Sequence, residues 1–97
     1  MATYAPVPVD TETPVDAVNA LSLTVGQNYG AQYQGPGTLR IRESVSGTAP
    51  ALTDSASSAS PQDPMRFQPA SGEGIWLWVT GVSERVADGA QVVIWDE

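Results

Sequence analysis

Carboxylates and serines are the side chains of this sequence that come nearest to catalytic chemistry. The chain has eleven Asp and Glu but no histidine, lysine or cysteine. A glycosidase-like acid pair needs one carboxyl group beside apolar surface, which raises its pKa. The acids in turns and loops allow many pairings and favour none of them: Asp54, Asp63, Glu73, Glu84 and Asp88. We therefore interpret the acids as solvated groups that keep the protein soluble.

Nucleophilic and metal-assisted reactions lack the residues that they require. No histidine can act as a base for a serine, and no G-x-S-x-G motif occurs. Cysteine and histidine ligands for zinc are missing, as is the D-x-[DN]-x-[DN]-G calcium loop. The glycine turns at 35–37 and 72–74 do not have the spacing of a phosphate loop. We predict a non-enzymatic protein without catalytic residues, cofactor or metal.

The charge balance excludes two classes of partner. Four arginines in a chain of net charge −7 provide no basic patch for nucleic acid and disfavour anionic membranes. The longest apolar run, residues 75–79, is far shorter than the ~20 residues that span a bilayer. The N-terminal sequence lacks the basic and apolar regions of a secretory signal. We expect a soluble product of the cytoplasm that binds neither nucleic acid nor membrane.

Two tryptophans stand out as candidates for a binding surface. Trp76 and Trp78 alternate with three aliphatic residues at 75, 77 and 79, so the two sets point to opposite faces of a strand. The aliphatic set fills a small core more easily. The tryptophans are then either covered by the chain's own loop or N-terminal segment, or exposed as a protein interface, where Trp, Tyr and Arg are enriched. A third interpretation is a carbohydrate-binding module in which they stack on sugar.

Two arginines form the second candidate. Arg40 and Arg42 share the polar face of a strand whose other face carries Leu39 and Ile41. They either pair with acids across the sheet, which contributes little stability, or bind the carboxylates of a partner.

The remaining pattern consists of short strands separated by turns. Nowhere do apolar residues recur with helical spacing over three turns, and residues 16–21 hold one helical turn at most. We predict an all-β fold, a small single-domain β-sandwich or barrel of about six to seven short antiparallel strands. The predicted strands cover residues 21–25, 29–34, 38–43, 65–69, 75–80 and 91–95.

Two segments do not fit the strand pattern. Residues 1–17 contain three prolines, which is typical of a frayed terminus or of an extended arm. Tyr4, Val7 and Val9 favour an extended N-terminal arm that contacts a groove, for example on a neighbouring subunit. Residues 18–97 then form the β-domain. Within it, residues 44–64 are dominated by Ser, Ala and Pro, which predicts a long flexible loop.

The order of these segments resembles that of small all-β proteins found among the head genes of tailed bacteriophages. The resemblance covers roughly residues 20–97 and lies in the pattern of segments at 23–29, 38–43, 49–54, 67–69, 72–78 and 93–97. Residues 1–19 have no counterpart in it, so the arm is predicted from composition alone.

The resemblance implies a virion structural protein. Proteins of this kind are capsid decoration (cement) proteins, and less often head–tail, neck or fibre components. Decoration proteins are commonly homotrimers at local threefold positions of the shell, with an N-terminal arm on the major capsid protein. The expectation is therefore a protein made in the bacterial cytoplasm, located on the outer capsid surface and stabilising the capsid. Its expected interface residues are Tyr4, Val7, Val9, Arg40, Arg42, Trp76 and Trp78.

Overall fold

The computed structural model describes residues 3–60, 63–82 and 90–97. Within these residues the chain forms eight β-strands and one helix of five residues, which confirms the predicted all-β class. In chain order the elements are β1 (Val7–Pro8), β2 (Val15–Asp16), α1 (Ala17–Leu21), β3 (Tyr29–Gln34), β4 (Thr38–Val45), β5 (Ser57–Ala59), β6 (Met65–Phe67), β7 (Glu73–Thr80) and β8 (Gln91–Asp96).

The strands form two four-stranded antiparallel sheets. The first sheet has the order β1-β8-β3-β6, and the second has the order β2-β7-β4-β5. The chain pairs with itself as a folded ribbon, since β1 pairs with β8, β2 with β7, β3 with β6 and β4 with β5. Rolled into two facing sheets, this ribbon is a jelly roll, the double Greek-key form of the β-sandwich.

The core lies between the two sheets. Because side chains alternate along a strand, the aliphatic face of β7 points inward, as predicted, with Ile75, Leu77 and Val79 in the core. Leu39 of β4 lies directly opposite Val79 and is also buried. The first sheet contributes the inward residues Tyr29, Ala31, Tyr33, Val92 and Ile94.

Five of the six predicted strands are present, and the strand at 21–25 is a wrong prediction. Leu21 ends α1, and Ser22 follows it in the left-handed conformation (φ 53°). Leu23 is buried, but Val25 is 52% exposed. The alternation of apolar residues in this segment therefore does not indicate a strand with one buried face.

The N-terminal segment lies along the chain's own sheets and does not project as an arm. It is extended, as predicted, but β1 joins the edge of the first sheet and β2 the edge of the second. Val7 and Val9 are 3% and 5% exposed and belong to the core. The proline-rich composition predicted an extended arm lying along another surface. It could not indicate that this surface is the edge of the chain's own sheets.

The segment at 44–64 is also more structured than predicted. β4 continues to Val45, and residues Ser57–Ala59 form β5 at the edge of the second sheet. The backbone of β5 pairs with β4, so this strand needs no large apolar side chain. Between the two strands, the Asp54 N–H donates to the Ala51 carbonyl (3.0 Å) in a hydrogen-bonded turn.

One acid is buried at the junction of four segments. The Oδ1 atom of Asp16 accepts hydrogen bonds from the N–H groups of Val18 (3.0 Å) and Asn19 (3.4 Å), which begin α1. The same oxygen accepts from the N–H of Ile75 in β7 (3.2 Å). Its Oδ2 accepts from the Ser46 hydroxyl (3.3 Å) at the end of β4. Asp16 is 8% exposed, which corrects the interpretation of all the acids as solvated.

Gly74 makes this position of the carboxylate possible. A β-carbon on Gly74 would overlap the carboxyl group of Asp16. Glycine in a strand interior often marks such a close approach.

We expect Asp16→Ala to lower the free energy of unfolding by about 3 kcal/mol, because it removes a helix cap and leaves the buried N–H of Ile75 without an acceptor. The matched control is Asp63→Ala, because Asp63 is exposed and accepts one side-chain bond, from the Ser60 hydroxyl. The control should cost less than about 1 kcal/mol. Urea denaturation of both variants measures the difference, and equal losses would contradict the structural role of Asp16.

Candidate functional site

The seven residues predicted for an interface fall in two separate places. Tyr4, Val7 and Val9 lie at the β1 edge of the first sheet. The other four lie together on the outer face of the second sheet, and we call them the Trp–Arg face: Arg40, Arg42, Trp76 and Trp78.

The strand register creates the Trp–Arg face. Arg40 lies opposite Trp78, and Arg42 lies opposite Trp76. Residues opposite each other in an antiparallel pair share one face of the sheet, with β-carbons about 5 Å apart. Sequence analysis placed the two arginines together and the two tryptophans together, but it did not predict that the pairs adjoin.

The tryptophans of this face are buried within the chain itself. Trp76 is 7% exposed and Trp78 is 0% exposed, although neither belongs to the core between the sheets. The Trp76 Nε1 donates to the Val45 carbonyl (3.3 Å). Neither indole is therefore available for stacking on a sugar or for direct contact with a partner in this conformation, which corrects both exposed interpretations.

The arginines are half-buried, and the acceptors that the structure describes for them are neutral. The Nη1 of Arg40 donates to the Ser58 hydroxyl (2.5 Å), and the Nη1 of Arg42 donates to the Ser55 carbonyl (2.6 Å). In the part of the chain that the structure describes, neither arginine forms an ion pair. The predicted pairing with acids across the sheet does not occur there, because tryptophans occupy the opposing positions.

Two donors of the Trp–Arg face are buried without an acceptor among the described residues: the Arg42 Nε and the Trp78 Nε1. A buried donor without a partner costs about 1–3 kcal/mol. Such groups need a specific explanation in a native structure. The hydrogen-bonding capacity of these two buried donors is thus not met by the residues that the structure describes.

Tyr4 links the two ends of the chain. Its hydroxyl donates to the Asp96 Oδ1 (2.7 Å), and its ring meets that of Tyr29 edge-on, with centroids 6.0 Å apart. The hydrogen bond to the Asp96 carboxylate, together with burial, raises the pKa of Tyr4 to about 12. Tyr4 is half-buried and acts within the fold, because it holds the N-terminal segment against β8.

Two acids meet at the end of the second sheet. The pKa of the Glu43 carboxyl group is raised, mainly by its hydrogen bond with the Glu73 carboxyl group. Glu43 is exposed, so this pair lacks the buried acid that glycosidase chemistry needs. Glu84 and Asp88 lie outside the described residues.

A surface cleft of about 490 Å³ lies at the β6 edge of the first sheet. Its floor includes Phe67, whose ring stacks on that of Tyr29 with centroids 5.6 Å apart. The Arg66 Nε forms an ion pair with the Glu97 Oε1 (2.9 Å) at its side. Sequence analysis missed this cleft, because its residues come from three distant segments: Asn28, Arg66, Phe67, Gln68 and Glu97.

Comparisons of this chain with protein families, curated proteins and solved structures give no match. No three potential metal ligands cluster among residues 3–60, 63–82 and 90–97. Within the same residues, no helix is long and apolar enough to cross a membrane.

We expect Tyr4 to make stability depend on alkaline pH. Its pKa rises on folding from 10.0 to about 12, so its contribution is complete below pH 10 and is lost as the pH rises towards 12. Tyr4→Phe should therefore show a smaller loss of stability across this interval. Denaturation at a series of pH values measures the effect. Parallel pH profiles for the two proteins would show that the Tyr4–Asp96 bond does not contribute.

Proposed function

We propose that this chain is a non-enzymatic structural protein of a tailed-bacteriophage virion that binds the major capsid protein on the outer capsid surface and stabilises the shell. The Trp–Arg face is the docking surface in this proposal. The observation that carries it is the pair of arginines that have no carboxylate partner among the described residues, in a chain with eleven acids.

The chemistry of the face favours an acidic partner surface. Ser58 and Ser55 supply neutral acceptors, and no acid among the described residues forms an ion pair with Arg40 or Arg42. Arginine binds carboxylates through two parallel hydrogen bonds, and complementary charge gives an interface its specificity. The buried indoles of Trp76 and Trp78 lie opposite the two arginines and limit the motion of their side chains, which lowers the entropy lost on binding.

The fold and the sequence pattern support the proposal by analogy. Jelly rolls occur in viral capsid domains and in lectins, although a fold alone does not define a function. Three segments of the phage-protein resemblance, at 38–43, 72–78 and 93–97, lie largely within strands of the sandwich, namely β4, β7 and β8.

We further propose that the protein acts as a homotrimer. The interface of a small domain with two arginines gives a weak single contact. Three linked copies at a threefold position of a shell would multiply that contact through avidity. In this form of the proposal the N-terminal segment contributes by stabilising the sandwich, since Val7 and Val9 are buried in the chain's own core.

The copy number in purified virions tests the proposed location. Decoration of the whole shell predicts about one copy per subunit of the major capsid protein, because every local threefold position would hold a trimer. Quantitative mass spectrometry of the phage that encodes the chain gives this ratio. A few copies per particle would place the protein in the neck, tail or fibre instead, and its absence from virions would refute a structural role.

The double variant Arg40→Glu and Arg42→Glu tests the proposed docking face. We expect it to bind purified shells at least about tenfold more weakly than the wild type, because it replaces both cations with like charges. Arg66→Glu is the matched control, since Arg66 lies on the first sheet and should retain binding within about twofold. Co-sedimentation with shells measures binding, and thermal unfolding checks the fold.

If the reversed charges destabilise the protein, the variant Arg40→Gln and Arg42→Gln removes the charge and keeps hydrogen-bonding groups. Undiminished binding by a folded double variant would show that the Trp–Arg face does not dock.

A further inference from the structure

The outer face of the first sheet has a composition unlike the rest of this acidic chain. The register places Gly30 opposite Trp95, Gln32 opposite Val93 and Gln34 opposite Gln91. We call the outward residues of β3 and β8 the glutamine face: Gly30, Gln32, Gln34, Gln91, Val93 and Trp95. It lies on the side of the sandwich opposite the Trp–Arg face.

Trp95 packs against the backbone of this face. A β-carbon on Gly30 would overlap the Nε1, Cε2 and Cζ2 atoms of the Trp95 indole. Glycine at this position of a strand is unfavourable unless something approaches closely, and here the indole does so. Trp95 is half-buried, in contrast to Trp76 and Trp78. The indole is therefore packed against the strand at Gly30 and keeps part of its surface exposed.

The amides beside the indole form a polar and uncharged row. The Nε2 of Gln91 donates to the Oε1 of Gln34 (2.8 Å), which orients both groups. Outside this bond, the pair retains amide donors on Gln34 and an acceptor oxygen on Gln91. The half-buried Gln32 lies between this pair and the indole along β3.

The face carries no net charge in a chain of net charge −7. None of its six residues is ionisable. The charged residues Arg66 and Glu97 lie at its border. There Arg66, opposite Gly30, is neutralised by its ion pair with Glu97. An acidic protein that leaves one sheet face neutral presents a surface that suits an uncharged, hydroxyl-rich ligand.

We propose that the glutamine face binds a neutral oligosaccharide. The apolar C–H side of a sugar ring would lie on the exposed surface of the Trp95 indole, where both surfaces lose contact with water. Sugar hydroxyls both donate and accept hydrogen bonds, which matches the side-chain amides of Gln34 and Gln91. Because no buried charge has to be desolvated, the interaction avoids the largest cost of polar burial.

This inference goes beyond the capsid-binding function and does not depend on it. A sugar ligand on the first sheet and a protein partner on the second sheet would occupy opposite sides of the molecule. A protein bound through its arginines could therefore still present Trp95 outward.

Nuclear magnetic resonance of the full chain tests the proposal. The three tryptophans give three indole N–H resonances, which single Trp→Phe variants assign. The probes are soluble oligomers of glucose, galactose, mannose and N-acetylglucosamine, with polygalacturonate as the anionic comparison. We expect at least one neutral oligomer at millimolar concentration to shift the Trp95 indole and the side-chain amides of Gln34 and Gln91, and to leave Trp76 and Trp78 unmoved.

Variants of Trp95 test whether its indole is the group that binds the sugar. Trp95→Ala should weaken sugar binding at least about tenfold, because it removes the stacking surface. Trp95→Phe keeps an aromatic ring over Gly30 and should retain part of the affinity, which separates loss of stacking from loss of folding. Val45→Ala, at a 61% exposed position of the second sheet outside the Trp–Arg face, is the control and should bind as the wild type does.

Three results would overturn the proposal. The first is no shift of the Trp95 indole with any neutral oligomer. The second is stronger binding of polygalacturonate than of the neutral oligomers. The third is a shift of the same resonances with protein concentration alone, which would identify a second copy of the chain as the occupant of this face.

Discussion

The buried carboxylate of Asp16 holds together segments that are far apart in the sequence. It caps α1, accepts a hydrogen bond from β7 through Ile75 and accepts another from Ser46 after β4. A polar group in this position is costly unless all its partners are present, so it selects one arrangement of the strands. Gly74 leaves the space that the carboxylate fills, and the helix that Asp16 caps carries the chain from the second sheet back to the first. The N-terminal segment is thereby anchored to the sandwich at β2 as well as at β1.

The pairing of β1 with β8 and of β2 with β7 determines which residues remain at the surface for binding. Because β1 and β2 complete the two sheets, the residues that looked suited to an extended arm are used in the fold. Binding then has to involve the outer faces of the sheets or the loops. The two faces differ in chemistry. The second sheet presents arginines opposite buried tryptophans, and the first presents an indole beside uncharged amides. We propose that the Trp–Arg face binds carboxylates and that the glutamine face binds a hydroxyl-rich ligand.

Strand prediction succeeded where the pleat buries one face of a strand, because the period of two in the sequence then reflects a real difference in solvation. β3, β4 and β8 are such strands, whereas β7 is buried on both faces and was predicted from its β-branched and aromatic residues. The pattern failed where the backbone alone makes the strand, as in β5, and at residues 21–25, where α1 ends and Ser22 takes the left-handed conformation. The interface residues illustrate the same limit. Trp76 and Trp78 were correctly placed on the face away from the core, but their burial depends on parts of the chain distant in sequence.

The all-β class and the inward aliphatic face of β7 follow from the amino-acid sequence, since they depend on composition and on neighbours two residues apart. The pairing of the strands, the position of the arginines opposite the tryptophans and the packing of Trp95 on Gly30 are visible in the folded chain alone. The physical reason is that register and sheet order arise from contacts between segments separated by tens of residues. Those contacts depend on how the whole ribbon closes around its core, and local alternation carries no information about them.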